Sequence, residues 1–537
     1  MYSRRSRRHF SSSTSHRARF AVMVLCLGAL SVVSAVAHAA PSTPFPFPDY
    51  STVDYTQVPI QETGVVDVVA DGDTFRFIED GSSSYVTVRL LGINTPEVRG
   101  FYNKNRDEDM CGAVAATGVL ASLLPPGTPV QLRSLSKESA GLDYRPQRYA
   151  FAWNPATSQY DIDVQAELAS AGLATLFTLS NEAALSYSYA LYVANAQAAG
   201  RGIWNPRFCG PPEQPDASIS LIAHWNAGRN DNANPNGEYV IVRNTGGTVV
   251  DLSGWILRDS GSTAWFIFPN GSMLTPDDYR VVHVGQGTPG SPEPRDLYVG
   301  STTALLANVA RDRFTGDGVY LLDPSTAFRS WFDWPCVVDC TDPAQGKLTI
   351  TDVNPIATSK KPSRAANEEY IIIKNTSKQE INLDGYYVAY RSATYPFVIN
   401  SRIPAGKTLT VFIGKGVPST RTQYWGREGP LLRNTSGTVE LLSERNVLIS
   451  SKKWLMSSGS TLFQLTRSTV TLAPVPLGAA LRYERLPRVT APNHHVAAGS
   501  KAPPAACPGI CGSSRREVHS KCCGAHLSSR RHHRWWI

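Results

Sequence analysis

The sequence predicts a mostly β chain of several domains, and three observations carry that expectation. Only 18 % of the 537 residues are charged, while Gly (41) and Pro (37) are plentiful, a balance that suits turn-rich β domains better than helical bundles. Short alternating strands begin at Gly64, with three helical stretches among them. Further on, a β-rich segment recurs at an offset of 131 residues. A chain of this length exceeds one core, and 42 % hydrophobic with 9 % aromatic residues fits folded modules rather than disorder.

In chain order, residues 1–39 read as a cleaved export signal. Arg4, Arg5, Arg7, Arg8, Arg17 and Arg19 form a basic start, Phe20 to Ala37 an apolar run, and Ala37-His38-Ala39 a small-x-small cleavage site. Secretion, or retention at a bacterial cell surface, follows as an expectation, with no later span able to cross a membrane. Residues 40–59 are a Pro/Ser/Thr-rich linker. The +8 formal charge belongs mostly to the ends. Besides the six leader arginines, Lys501, Arg515, Arg516, Lys521, Arg530, Arg531 and Arg534 face only Glu517 at the C-terminal end. The body between is net acidic, so any attraction for nucleic acid must be local or come from the tail.

Residues 60–210 alternate strands (Val65–Val69, Phe75–Ile78, Tyr85–Leu91, Val130–Leu132, Tyr149–Trp153) with helices (Met110–Leu124, Val164–Ala174, Glu182–Ala199). Five strands and three helices in about 145 residues predict an OB-fold, a five-stranded β-barrel with helices packed at one end. Outside the leader, eight cysteines in an exported chain suggest disulfides, with Cys111 and Cys209 bracketing this domain and Cys336 close to Cys340.

In the repeat, Glu238-Tyr-Val-Ile-Val-Arg-Asn244-Thr245 returns as Glu369-Tyr-Ile-Ile-Ile-Lys-Asn375-Thr376, and Asp251-Leu-Ser-Gly-Trp255 as Asn382-Leu-Asp-Gly-Tyr386. Alternating apolar residues, Asn/Asp/Gly turns and no convincing helix predict two immunoglobulin-like β-sandwiches, at 216–345 and 346–460. The loop Asn230–Glu238 has the oxygen density of a calcium site, although turn-forming chemistry accounts for it as well. Residues 461–537 are Pro-, Arg- and His-rich and expected to be disordered.

The chemistry concentrates in residues 71–97. Asp71-Gly-Asp73-Thr leads into a strand, and Arg89-Leu-Leu-Gly-Ile-Asn94-Thr95-Pro-Glu97 closes the next one. Phosphodiester hydrolysis needs an activated water and neutralisation of charge at phosphorus. Asp73, Asn94 and the Thr95 carbonyl offer the oxygen ligands that a hard cation takes, and Pro96 holds Thr95 in extended backbone. Glu97 is placed to accept a proton from water, and the planar fork of Arg89 suits a phosphate. A second cation is expected at Arg148, which leads straight into a strand, with Arg145 as the alternative.

These residues resemble the staphylococcal nuclease (thermonuclease) family over roughly Gly64 to Cys209. The resemblance rests on Asp71-Gly-Asp-Thr74, Arg89-to-Glu97 and Ala196-Gln-Ala-Ala-Gly-Arg-Gly-Ile-Trp204. It implies Ca²⁺ held by Asp73, Asn94 and Thr95, Glu97 as general base, Arg89 and Arg148 stabilising the transition state, and DNA or RNA cleaved to leave 3′-phosphates. Asn94 stands where the family usually has Asp, so Mg²⁺ or another divalent ion is an alternative. Asp143-Tyr-Arg-Pro-Gln replaces the usual Asp-x-Tyr-Gly before the second arginine, and Thr175–Ser180 lacks the family's pocket tyrosines. The repeated segments are similar to bacterial lamin-tail domains, for which attachment to a cell surface or nucleic acid is the implied role. The reading that results is a secreted metal-dependent endonuclease. Its rival is a catalytically inactive nucleic-acid-binding or adhesion protein that works through the sandwiches.

Overall fold

The computed structural model describes residues 51–99, 108–141, 144–227, 230–261, 266–310, 313–456 and 462–468. The leader, most of the linker, Asp143 and the chain beyond 468 lie outside the described residues.

The first domain consists of β1 (Ile60–Val69), β2 (Thr74–Glu79), β3 (Tyr85–Leu90), β4 (Gly92–Asn94), α1 (Ala113–Leu123), β5 (Pro129–Arg133), β6 (Gln147–Asn154), β7 (Gln159–Asp163), α2 (Val164–Ser170), β8 (Thr175–Phe177) and α3 (Ser186–Ala198). Its sheet runs β3-β2-β1-β5-β6-β7, and β3 also pairs in parallel with β6, so five strands close into a ring. Alternation fills the interior with Val66, Phe75, Phe77, Val88, Leu90, Val130, Leu132, Ala150 and Ala152, all buried. β6 is buried on its other face too. There Tyr149 lies 5.9 Å from Tyr189 of α3, and Tyr55 stacks at 4.4 Å on Phe151.

The departures from expectation have local causes. The first helix starts at Ala113 because Gly112 takes φ +93°, and the second stops at Ser170. Asp161 and Asp163 interrupt the apolar alternation of β7, which hid that strand. β4 and β8 are three residues each and pair only with one another.

Each of the next two domains is a sandwich-like pair of sheets. In the first, one sheet runs Asp296–Tyr298, Tyr279–His283, Tyr239–Asn244, Ile219–His224. The other runs Phe266–Ile267, Ile256–Asp259, Asp317–Leu322, Phe328–Trp334. The second copy repeats this order and adds Leu462–Ser468 beside Leu448–Met456. The expectation of a disordered tail from 461 is therefore corrected for those seven residues, which pair as a strand. A short helix, Pro362–Ala366, is also present where none was expected.

The repeated motif has a structural reason. Glu238 Oε2 accepts from the Leu305 and Leu306 N–H groups at 2.8 and 3.1 Å, and Glu369 Oε2 from Leu431 and Leu432 at 2.7 and 3.0 Å. Asn244 Nδ2 donates to the Thr248 and Leu274 carbonyls, and Asn375 Nδ2 to those of Gln379 and Ile403. Both pairs staple a crossing loop that would otherwise leave buried backbone groups unpaired.

The domains share cores. Ile256, Phe314, Tyr320, Leu322 and Phe328 belong to the apolar cluster of the ring domain. Tyr387 and Leu442 of the second sandwich belong to the cluster of the first. Cys111 pairs with Cys209, and Cys336 with Cys340. Among the described residues, no helix is long and apolar enough to cross a membrane.

Candidate active site

The cluster at the end of the ring is assembled by two turns. Asp71 Oδ1 accepts from the Asp73 N–H at 3.1 Å, which fixes the turn before β2 and presents the Asp73 carboxylate. Gly92 takes φ +80°, a conformation that favours glycine, and swings the chain from β3 into β4. That bend brings Thr95 back over Gly72, where a Cβ would lie only 2.4 Å from Thr95 Oγ1. Gly72 is thus required by close approach.

Asp73 is the hub. Its Oδ2 accepts from Arg89 Nη1 at 2.7 Å, the Thr95 N–H at 2.8 Å and Thr95 Oγ1 at 3.1 Å, and its Oδ1 from Thr74 Oγ1 at 3.2 Å. Arg89 Nη2 donates to Asn94 Oδ1. The guanidinium therefore bridges the two side chains expected to hold a cation. Glu97 follows Pro96 on the same segment, and its backbone carbonyl accepts from the Met110 N–H at 3.0 Å. Arg89 and Glu97 are 8 % exposed, and Asp73, Asn94 and Thr95 are 3 % or less.

Arg148 is not in this cluster. In the β3–β6 pairing Arg89 stands beside Gln147 and Leu90 beside Arg148. Neighbours across a ladder share a face, so Arg148 lies on the face of Leu90, opposite to Arg89. It donates from Nε and Nη2 to Glu62 at 2.7 and 2.8 Å, and to the carbonyls of Ser139, Gln147 and Lys137. The expected role of Arg148 at phosphorus is corrected accordingly: it is a buried clamp between β1 and the 135–139 loop. The alternative, Arg145, reaches Thr74 Oγ1 at 3.4 Å, next to Asp73.

Two residues escaped sequence reasoning. Asp71 Oδ2 is buried without a hydrogen-bond partner, and burial together with the Asp73 charge pushes the carboxyl up to about 6. The second is Arg258, on the Ile256–Asp259 strand of the first sandwich. It is fully buried, and the Glu97 carboxylate acts on its charge. An arginine within an apolar strand was the available signal, since the repeat puts Ala389 at the equivalent position. Thr175 links Asn94 to the sandwich. Thr175 Oγ1 donates to the Asn94 carbonyl at 3.2 Å and approaches the Ser260 carbonyl at 3.4 Å.

The donor set is all oxygen, and the unpaired Asp71 Oδ2 beside Asp73 is the kind of group that a hard divalent cation satisfies. Among the described residues, no three His, Cys, Asp or Glu side chains form a metal cage, so hydroxyl, amide and backbone oxygens would have to contribute. In the Asn230–Glu238 loop, Asp231 Oδ2 accepts from Asn308 Nδ2 and Asn236 Nδ2 donates to the Gln286 carbonyl, as in a turn-rich connection. A cleft of about 690 Å³ lies on the second sandwich, lined by Asn400, Arg402, Lys407 and Arg421, apart from all of these residues.

No curated protein matches the chain. Residues 211–335 and 341–455 each match the family model of the lamin tail domain, and that match does not extend to residues 60–210. Residues 211–335 and 341–455 are two consecutive lamin tail domains, each built as an immunoglobulin-like sandwich.

Proposed function

We propose that the protein is a secreted, metal-dependent nuclease in which an OB-type barrel of thermonuclease kind carries the reaction. The observation that supports this reading is the direct linkage of Asp73, Arg89, Asn94 and Thr95, with Glu97 two residues further on. Arg89 is the register partner of Thr74 in the β2–β3 hairpin, and the Gly92 bend returns Asn94, Thr95 and Glu97 to the same end of the ring. Asp71 and Asp73 would hold Ca²⁺, with Mg²⁺ the alternative, and Asn94 and the Thr95 carbonyl would complete the set once Arg89 turns to the phosphate. The cation, when bound, neutralises charge on the phosphodiester oxygens.

The chain's own residues carry the rest. Glu97 accepts a proton from water, whose oxygen forms a bond to phosphorus in line as the bond to the 5′-oxygen breaks, and the 5′-oxygen leaves as an alcohol with a proton taken from solvent. A 3′-phosphate results. Arg89 donates its fork to the equatorial oxygens, where charge develops. Arg145, which reaches Thr74, would take the place of Arg148 as the second arginine after Arg89. Burial of every member of the cluster favours a flexible single strand over a duplex. The lamin tail domains would attach the enzyme to a cell surface or to nucleic acid.

The second reading is a scaffold that binds without cleaving. It draws support from the same Arg89, which occupies oxygens of Asp73 and Asn94 that a cation would need. Digestion of single- and double-stranded DNA and of RNA, with Ca²⁺, with Mg²⁺ and with chelator, separates the two. Chelator-sensitive cleavage leaving 3′-phosphates is the expected outcome. Binding without cleavage under every metal would leave the scaffold.

A further inference from the structure

We propose that Arg258, supplied by the first lamin tail domain, is a phosphate-binding arginine of the site built on Asp73, Arg89 and Glu97. The inference rests on the nuclease reading above, and names a residue of that site outside the barrel.

Three observations carry it. The first is the unsatisfied donor. Arg258 Nε donates to the Asp259 carbonyl at 3.1 Å and Nη2 approaches the Ser260 carbonyl at 3.5 Å, whereas Nη1 is buried without a hydrogen-bond partner. Leaving a guanidinium N–H unpaired away from water is costly, and an anionic oxygen is the ligand that would satisfy it. Burial works against the charge of Arg258, while Asp259, Tyr320 and Glu97 act on it in its favour.

The second is position. The carbonyl that Arg258 Nη2 approaches belongs to Ser260, and Thr175 Oγ1 spans that carbonyl and the Asn94 carbonyl. Asn94 in turn accepts from Arg89. A chain through the Ser260 carbonyl and the Thr175 hydroxyl thus links Arg258 to Asn94, the residue that Arg89 also holds. Ser260 is itself held: its N–H and hydroxyl both donate to Asp317 Oδ1.

The third is rigidity. Tyr320, the register partner of Arg258, packs at 5.9 Å against Trp204 of the ring domain, and Phe328 and Trp331 close on the same indole at 5.4 and 5.2 Å. Gln197 Nε2 donates to Asp333 Oδ2 at 2.7 Å, and the Cys111 N–H to Thr326 Oγ1 at 2.8 Å. A shared apolar core holds two domains as one body, so Arg258 is a fixture of the site rather than a visitor. Arg258 would add a cation from the neighbouring domain to those that the ring domain supplies.

The test uses the full chain with Arg258→Met, Arg258→Lys and, as a remote control, Arg402→Met. Turnover of single-stranded DNA, binding of inorganic phosphate by calorimetry, and the melting temperature are measured for each. Arg258→Met is expected to lower kcat by about 10²–10³-fold and to lose phosphate binding, with Lys restoring part of both and Arg402→Met changing neither. A lower melting temperature with turnover per folded molecule and phosphate binding unchanged would make Arg258 structural and overturn the proposal. A rise in turnover would make it a plug, and would overturn it equally. Should Glu97→Gln match wild type, or no turnover be found, the nuclease reading fails by itself. Phosphate binding that depends on Arg258 would then still uphold the anion site, and its absence would remove that too.

Discussion

The two lamin tail domains share one frame and put it to different uses. Glu238 and Glu369 make the same pair of bonds, as do Asn244 and Asn375. Each domain also docks on its predecessor through the same face. Ile256 pairs with Leu322 in the first and both join the core of the ring domain, while Tyr387 pairs with Leu442 in the second and both join the core of the first. On that face the first copy carries Arg258 beside Tyr320, and the second carries Ala389 beside Glu440. The frame therefore solves loop crossing and stacking, and a single strand position decides whether the docked face also reaches a site.

The comparison breaks most visibly at the two junctions. Trp204 anchors the first, and Trp225, whose Nε1 donates to the Glu444 carbonyl at 3.1 Å and which meets Tyr387 edge-on, anchors the second. Either Trp→Ala change is expected to destabilise by about 3–5 kcal/mol, measurable by denaturant unfolding. Only Trp204→Ala is expected to depress turnover as well, because only that junction carries Arg258 to the cluster. Equal loss in both would erase the distinction.

A smaller effect concerns the disulfides. Cys111–Cys209 ties residues 98 apart and Cys336–Cys340 residues four apart. Loop-closure entropy makes removal of the first by paired Ser substitutions worth about 4–5 kcal/mol at most, and of the second about 2. Melting of the two double mutants gives the order, and the reverse order would mean that strain outweighs loop entropy.

What the sequence disclosed follows from how local each feature is. Asp73, Arg89, Asn94, Thr95 and Glu97 lie on two turns and one strand of a contiguous stretch, so residue type and spacing suffice to gather them. The same reasoning reached the repeat, because Glu238 and Asn244 bond inside their own domain. Arg148 was misjudged because its face depends on which residue of β3 it pairs with, a long-range register. Arg258 is marked only by its contrast with Ala389 in the repeat, since docking between domains leaves no period in a sequence. The Gln159–Asp163 strand was lost to its two aspartates, and the short β4–β8 pair to its length.

The smallest expected effect is in pH. Burial pushes Glu238 up to about 7, from an ordinary value near 4.5, and raises Glu369 as well. A carboxyl whose folded value is raised favours the folded state below its unfolded value, and that contribution is lost as pH rises through the folded one. For Glu238 the window is from about 4.5 to about 7. Glu238→Gln is expected to flatten the fall in melting temperature across it, and Glu369→Gln to act in the same direction. A slope unchanged in Glu238→Gln would place the titration elsewhere. Asp71 has the same sign, with loss completed near pH 6; a bound cation prefers the ionised form, so divalent-ion binding should strengthen as pH rises through that value.

The most direct measurement is the turnover of single-stranded DNA by full-length Glu97→Gln beside wild type, with melting temperatures recorded on the same samples. The account predicts a fall of several orders of magnitude in kcat per folded molecule, far more than any shift in melting temperature from loss of the buried charge accounts for, because the carboxylate serves the water. Cleavage by Glu97→Gln at the wild-type rate would contradict it, and would move the chemistry away from the cluster at the end of the ring.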